Sequence, residues 1–293
     1  MDFIGNRKAF DLLARSIKND SLNHAYIFSG PEQVGKFTLA KMFALHAISG
    51  TKMILDINDF DKNALLDLIL VSPEIVEKKG ISKQRDISIE SVREVKKSLS
   101  LFPYHGKYKI LIIDDAHKLN ISAQNALLKI LEEPNPTTMI ILVTHEIDRI
   151  LPTLQSRSQM VNFGLINDAD MQNIFSANIV SLSAGRPGIA NLISHNENER
   201  VFRAEALSEL KKVVGGSLND RFSLAEEFSK DIVKTLNKLN AWIWEMRKNA
   251  LVGDEYQRSK IYASIEKIQK SMEMLKRTNA SSRLVLETLF MDI

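Results

Sequence analysis

The stretch Ser29-Gly30-Pro31-Glu32-Gln33-Val34-Gly35-Lys36-Phe37-Thr38 constrains this chain more than any other. It meets the pattern G-x-x-x-x-G-K-[ST] at Gly30, Gly35 and Lys36 and departs from it at Phe37. Such a loop works only between a strand and a helix. The glycines let backbone N–H groups converge on anionic oxygens, and the helix N-terminus adds positive potential. Ala25-Tyr26-Ile27-Phe28 supplies an apolar strand ahead of the loop, and Leu39, Met42, Phe43 and His46 a helix behind it. A phosphate cradle is therefore expected here, with one defect. Phe37 stands where a hydroxyl would ligate Mg²⁺, and Thr38 lies ~100° further round the helix, the wrong place to substitute.

Around this loop the chain alternates strand-like and helix-like segments, which predicts a parallel sheet flanked by helices. Phe10, Leu13, Ala14 and Ile17 share one helical face. Leu68–Val71, Ile110–Ile113, Met139–Val143 and Met160–Phe163 read as further strands. Ile110–Ile113 is apolar without alternation, as expected for a strand covered on both faces. Ser88 and Asn120 are placed to cap helices, and Pro134 to end the second of them. The polar stretch 58–63 and the basic stretch 78–85 read as surface loops. From residue 165 the strands disappear. Short helices are expected over 168–180 and 185–195, then longer ones over 202–214, 223–250, 256–275 and 281–291, with breaks at Gly215-Gly216 and Gly253-Asp254. The expected fold is an α/β P-loop core with a five-stranded parallel sheet over 1–164, a small helical lid over 165–200, and an all-α tail over 201–293.

Ile113 runs into Asp114 and Asp115. In P-loop NTPases an acidic residue at this strand end organises Mg²⁺. In many of them a neighbouring glutamate polarises the attacking water. Asp115 is one methylene shorter, and misplacement on that scale costs ~100-fold in rate. The bland alternative is that both carboxylates cap the loop. His117 reads as a loop residue. Thr144 and His145 lie at the end of another strand, where P-loop NTPases similar to this chain place a nucleotide-sensing polar residue.

Together these residues resemble the clamp-loader branch of the AAA+ ATPases, and within it the bacterial DNA polymerase III delta prime type. The likeness rests on Phe3-Ile4-Gly5-Asn6, on His24 to Pro31, on Ile89 to Tyr104, and on Ile112 to Ala116. It continues through Asn125-Ala126-Leu127-Leu128-Lys129-Ile130-Leu131-Glu132-Glu133-Pro134, Leu151 to Ser158, and Ser183 to Gly188. The resemblance implies a hetero-pentamer with gamma/tau and delta subunits, acting on a sliding clamp and primer-template DNA. It implies that the all-α tail is an oligomerisation collar. It also implies that Arg157 of the Ser156-Arg157 element reaches a neighbour's ATP as an arginine finger acting in trans; taken alone, the residue would read as half of a surface ion pair.

Three departures favour a subunit that does not hydrolyse ATP: Phe37 after the loop lysine, Asp115 in place of glutamate, and Gly188 near the place of a lid arginine, with Arg186 displaced from it. Two cases are then open: no bound cofactor, or ATP or ADP held without productive Mg²⁺. A gamma-like active ATPase is the alternative reading. A small-molecule kinase would need clustered catalytic polar residues in the final third, and none stand out there. Many relatives of this type carry a four-cysteine zinc module after the first loop helix. This chain has no cysteine, so residues 50–65 hold no zinc in that way. The net charge of +3 permits contact with nucleic acid, and Arg93, Lys96 and Lys97 are candidates for phosphate contacts or simply a solvated helix face. No secretory segment or membrane span is apparent, and a cytoplasmic protein is expected. Trp242 and Trp244 cannot share a helix face; one is expected in the core of the tail and the other against a neighbouring subunit.

Overall fold

The computed structural model describes residues 3–56, 58, 61–78, 81–277 and 281–293. Its first half runs α1 (Arg7–Lys18), β1 (Ala25–Ser29), α2 (Lys36–Ser49), β2 (Leu68–Val71), β3 (Ile75–Lys78), β4 (Ile81–Gln84), α3 (Ile89–Leu99), β5 (Lys109–Ile113), α4 (Ile121–Glu132), β6 (Thr138–Thr144), α5 (Pro152–Gln155) and β7 (Gln159–Asn162). The second half is helical: α6 (Asp168–Gln172), α7 (Ala177–Ser183), α8 (Pro187–His195), α9 (Glu197–Gly215), α10 (Leu218–Ser229), α11 (Ile232–Val252), α12 (Glu255–Arg277) and α13 (Ser282–Asp292). The chain divides into two compact units, 1–170 and 171–293.

In the first unit five strands pair in the order β2-β5-β6-β1-β7, all parallel. Side chains of a strand alternate between faces, and both faces here are covered. Tyr26, Phe28, Ile110, Ile112, Met139, Ile141 and Val143 share one core with Leu39, Phe43 and Ile48 of α2. Ala25, Ile27, Leu111, Ile113, Ile140 and Leu142 share the other with Val92, Val95, Leu127 and Leu131 of α3 and α4. This two-sided burial is why the strands read as unbroken apolar runs. The caps fall as the sequence predicts. Ala123 N–H donates to Asn120 Oδ1 at 2.8 Å, and Ser91 N–H faces Ser88 Oγ at 3.5 Å.

Where related chains are expected to carry a zinc module, this one packs instead. Met53 and Ala64 are buried against the α2 face of the sheet, with Leu55 beside them. A 3₁₀ turn over Lys62–Asp67 follows, capped by Asp61, whose carboxylate accepts from Asn63 N–H at 2.9 Å. Residues 57, 59 and 60 lie outside the described part of the structure. The basic stretch 78–85 departs from expectation: its described part belongs to an antiparallel hairpin in which Lys78 pairs with Ile81 and Ile75 with Gln84. β-Branched Ile75, Val76 and Ile81 favour extended backbone, and the surrounding charges hid that preference. Residues 79 and 80 are outside the description.

The second unit corrects two helix boundaries. The segment 168–180 is two helices, not one, and the long helix expected over 223–250 breaks after Ser229. No glycine or proline marks that break. Asp231 restarts the helix by accepting from Lys234 N–H at 2.9 Å. Ser217 and Asp220 form a reciprocal capping box at the start of α10. Trp242 is fully buried among Phe228 and Phe290 and donates its indole N–H to Ala206 O at 2.6 Å. Trp244 is half-buried in the same unit, with Arg186 4.7 Å and Arg203 5.1 Å from its ring centre. Arg186 itself is buried, so it is a packing residue of this unit.

Candidate functional site

β1, β5 and β6 are neighbours in the sheet, and being parallel they end on the same edge. The glycine loop leaves β1 there, Asp114 and Asp115 leave β5, and Thr144 to Glu146 leave β6.

The loop backbone requires its glycines. Gly30 has φ 146°, and a Cβ there would stand 2.3 Å from Phe163 O. Gly35 has φ 90° and forms the N-cap of α2. Gln33, with φ 60°, takes a left-handed conformation as well. The 14-residue helix α2 starts at Lys36, so its N-terminal N–H groups face the loop. The Lys36 side chain is buried and turns back along the loop, donating from Nζ to Gly30 O at 2.8 Å and to Pro31 O. Phe37 is half-buried and packs against the core beneath α2; Thr38 is half-buried on the same first turn. Loop and helix thus suit a phosphate group. The donor set does not suit nucleotide-bound Mg²⁺, because the residue after Lys36 offers no oxygen.

Asp114 is part-buried. Burial raises its pKa, and Asp115 beside it raises it further, against the opposing pull of Lys36 and His145. Asp115 takes a left-handed backbone (φ 46°), donates its N–H to Asp114 Oδ1 at 3.0 Å, and opens a 3₁₀ turn over Ala116–Lys118. His117 in that turn is buried. Its Nδ1 is 3.5 Å from Thr144 Oγ1, and its ring meets His145 edge-on at 4.1 Å between centres. Burial pushes the His117 pKa down to about 4, and the neighbouring His145 adds to that.

His145 joins the three strand ends. Its Nε2 is 2.9 Å from Glu32 of the glycine loop and 3.5 Å from Glu146, and its Nδ1 is 3.6 Å from Asp115 Oδ1. Burial alone would lower its pKa, but Asp115 and Glu32 outweigh burial and raise it to about 9. Sequence reasoning reached Gly30, Gly35, Lys36, Thr38, Asp114, Asp115 and His145 but not Glu32, which sits at an unconstrained position of the loop pattern. Arg157 stands apart from this group. Its Nη2 is 3.3 Å from Glu132 at the end of α4, its Nη1 donates to Thr153 O at 3.3 Å, and its side chain is 40% exposed.

A glycine loop on β1, an acidic end on β5 and a polar end on β6 between them define a P-loop α/β core of the RecA-like AAA+ class, followed among the described residues by helices. Over residues 5–167 the chain matches the family described as "DNA polymerase III, delta subunit". It belongs to that family. Among curated relatives, the tau subunit of DNA polymerase III of Bacillus subtilis is 30% identical over 242 residues, covering 81% of this chain and 39% of that protein. The tau/gamma subunit of Haemophilus influenzae is 25% identical over 233 residues, covering 77% of this chain and 30% of that one. The chain therefore spans well under half the length of these two relatives. A solved structure of a gamma subunit-related protein from Thermotoga maritima is 16% identical with a TM-score of 0.49, covering 97% of each chain. Among the described residues no helix is long and apolar enough to cross a membrane.

Proposed function

We propose that this chain is a delta prime-like subunit of a DNA polymerase III clamp loader, a stator that hydrolyses no ATP itself. It assembles with gamma/tau and delta subunits into a hetero-pentamer that loads a sliding clamp on primer-template DNA. Within it, residues 1–164 act as the nucleotide-binding-type domain, 165–200 as a lid and 201–293 as the oligomerisation collar. The observation that carries the reading is Phe37, an aromatic ring at the Mg²⁺-ligating position of an otherwise well-formed glycine loop. Gly30, Gly35, Lys36 and Thr38 then cradle phosphate without productive metal, and Asp114 and Asp115 are left with a structural role.

Arg157 serves a neighbour's site. It is exposed enough to reach outward, and its pairing with Glu132 is a surface ion pair, worth at most ~1 kcal/mol, so it is easily exchanged for a phosphate. A finger of this kind is worth ~10³–10⁵ in rate in other NTPases. A second reading, an active gamma-like ATPase, is favoured by the names of the curated relatives, which are gamma and tau subunits. ATP turnover by the purified chain separates the two. The delta prime reading itself is tested by mixing the chain with gamma/tau and delta subunits and weighing the product; one copy per complex is expected.

A further inference from the structure

We propose that Asp115, His117 and His145 form a transition-metal site, suited to Zn²⁺ or Co²⁺, at the sheet edge beside the glycine loop. Among the described residues these three bring one ligand atom each to within 4.8 Å of one another. Two imidazoles and one carboxylate make a ligand set that prefers a borderline transition ion to Mg²⁺.

The orientation of each ring supports the assignment. Nε2 of His145 is engaged by Glu32 at 2.9 Å, which leaves Nδ1 turned towards Asp115 Oδ1 at 3.6 Å. That gap is held by the Asp115 carboxylate pairing with the imidazole N–H, so an ion would take the place of that proton. The distance matches the ~3.4 Å edge between two ligands each ~2.1 Å from a tetrahedral ion. A carboxylate behind a ligating histidine is the usual device for fixing its tautomer and ring angle, and Glu32 is placed to do this. His117 is held from the other side, with Nδ1 near Thr144 Oγ1 at 3.5 Å and its ring edge-on to His145. Asp115 and His117 belong to one 3₁₀ turn, so small shifts of that turn bring the three atoms onto one ion. His145 and Asp115 are 22% and 31% exposed, which gives an ion access from solvent. Three protein ligands leave a fourth position for water. A bound ion would pin the end of β5 to the end of β6 and, through Glu32, hold the glycine loop. The site stands on these side chains alone, whichever reading of the ATPase holds.

Co²⁺ titration of the purified chain, followed by visible absorption and calorimetry, tests it without nucleotide or partners. The expected result is one Co²⁺ per chain with the intense absorption of a low-coordinate ion, displaced by Zn²⁺ and not by excess Mg²⁺. His145→Gln should weaken binding 100-fold or more. Asp115→Asn, which suits the left-handed backbone there, should weaken it at least 10-fold with the far-UV circular dichroism unchanged. Glu32→Gln should weaken it by ~10–100-fold, as loss of an outer-shell partner does elsewhere. No binding by the parent chain, or Co²⁺ affinity unchanged in both His145→Gln and Asp115→Asn, would overturn the proposal.

Discussion

The ammonium of Lys36 lies 2.8 Å from the carbonyl oxygen of Gly30, the residue that opens the same loop. The charge that should meet a nucleotide's phosphates is thus spent within the loop, and any nucleotide must displace those bonds. The hydroxyl that would add Mg²⁺ to the exchange is absent because position 37 is phenylalanine.

Mg²⁺ should therefore make little difference to nucleotide binding in the parent chain. ATP affinity measured by fluorescence titration is expected to change less than 2-fold between EDTA and millimolar Mg²⁺. Phe37→Thr should introduce a Mg²⁺ dependence of 10-fold or more. The same change removes a half-buried ring from the core and should lower stability by about 1–2 kcal/mol.

Arg157→Ala should leave the isolated chain's stability within ~0.5 kcal/mol of the parent, because its ion pair with Glu132 is exposed. In a complex reconstituted with gamma/tau and delta subunits, the DNA-stimulated ATPase should fall at least 10-fold with assembly intact. Unchanged ATPase would reject the trans role.

Asp67 should govern the acid stability of the first unit. It is fully buried, and its carboxylate accepts N–H groups from Tyr104 at 2.6 Å, His105 at 2.7 Å and Gly106 at 3.1 Å. Burial alone would raise its pKa; the three donors outweigh burial and hold it below the ordinary value. A depressed folded-state pKa gives stability that is present above the unfolded value and lost as pH falls through the folded one. Asp67→Ala strands three donors and should cost at least ~3 kcal/mol at neutral pH. Denaturant titrations across pH 2–7 should show the acid-side loss of stability flattened in that variant.

Much of this was legible in the residues, and the reasons for the rest are local. Ile110–Ile113 announced a doubly covered strand because β5 lies between β2 and β6 with a core on each face. The glycine loop announced itself because only glycine tolerates Gly30's φ and its approach to Phe163. The hairpin of β3 and β4 was masked by lysines, and the restart of the helix at Asp231 by the lack of any breaker. Glu32, His117 and His145 meet only because parallel pairing brings distant strand ends together, a relation no local pattern carries. Which of Trp242 and Trp244 fills the core was left open, because helix periodicity cannot show that Arg186 and Arg203 close over the Trp244 ring.

On the delta prime reading a chain with a well-formed glycine loop does no ATP chemistry of its own. Steady-state ATP turnover by the purified chain, with Mg²⁺ and primed DNA present, tests it most directly. The expected rate is indistinguishable from that of a Lys36→Ala control; turnover of ~1 s⁻¹ or faster, abolished by Lys36→Ala, would show that the chain is an ATPase.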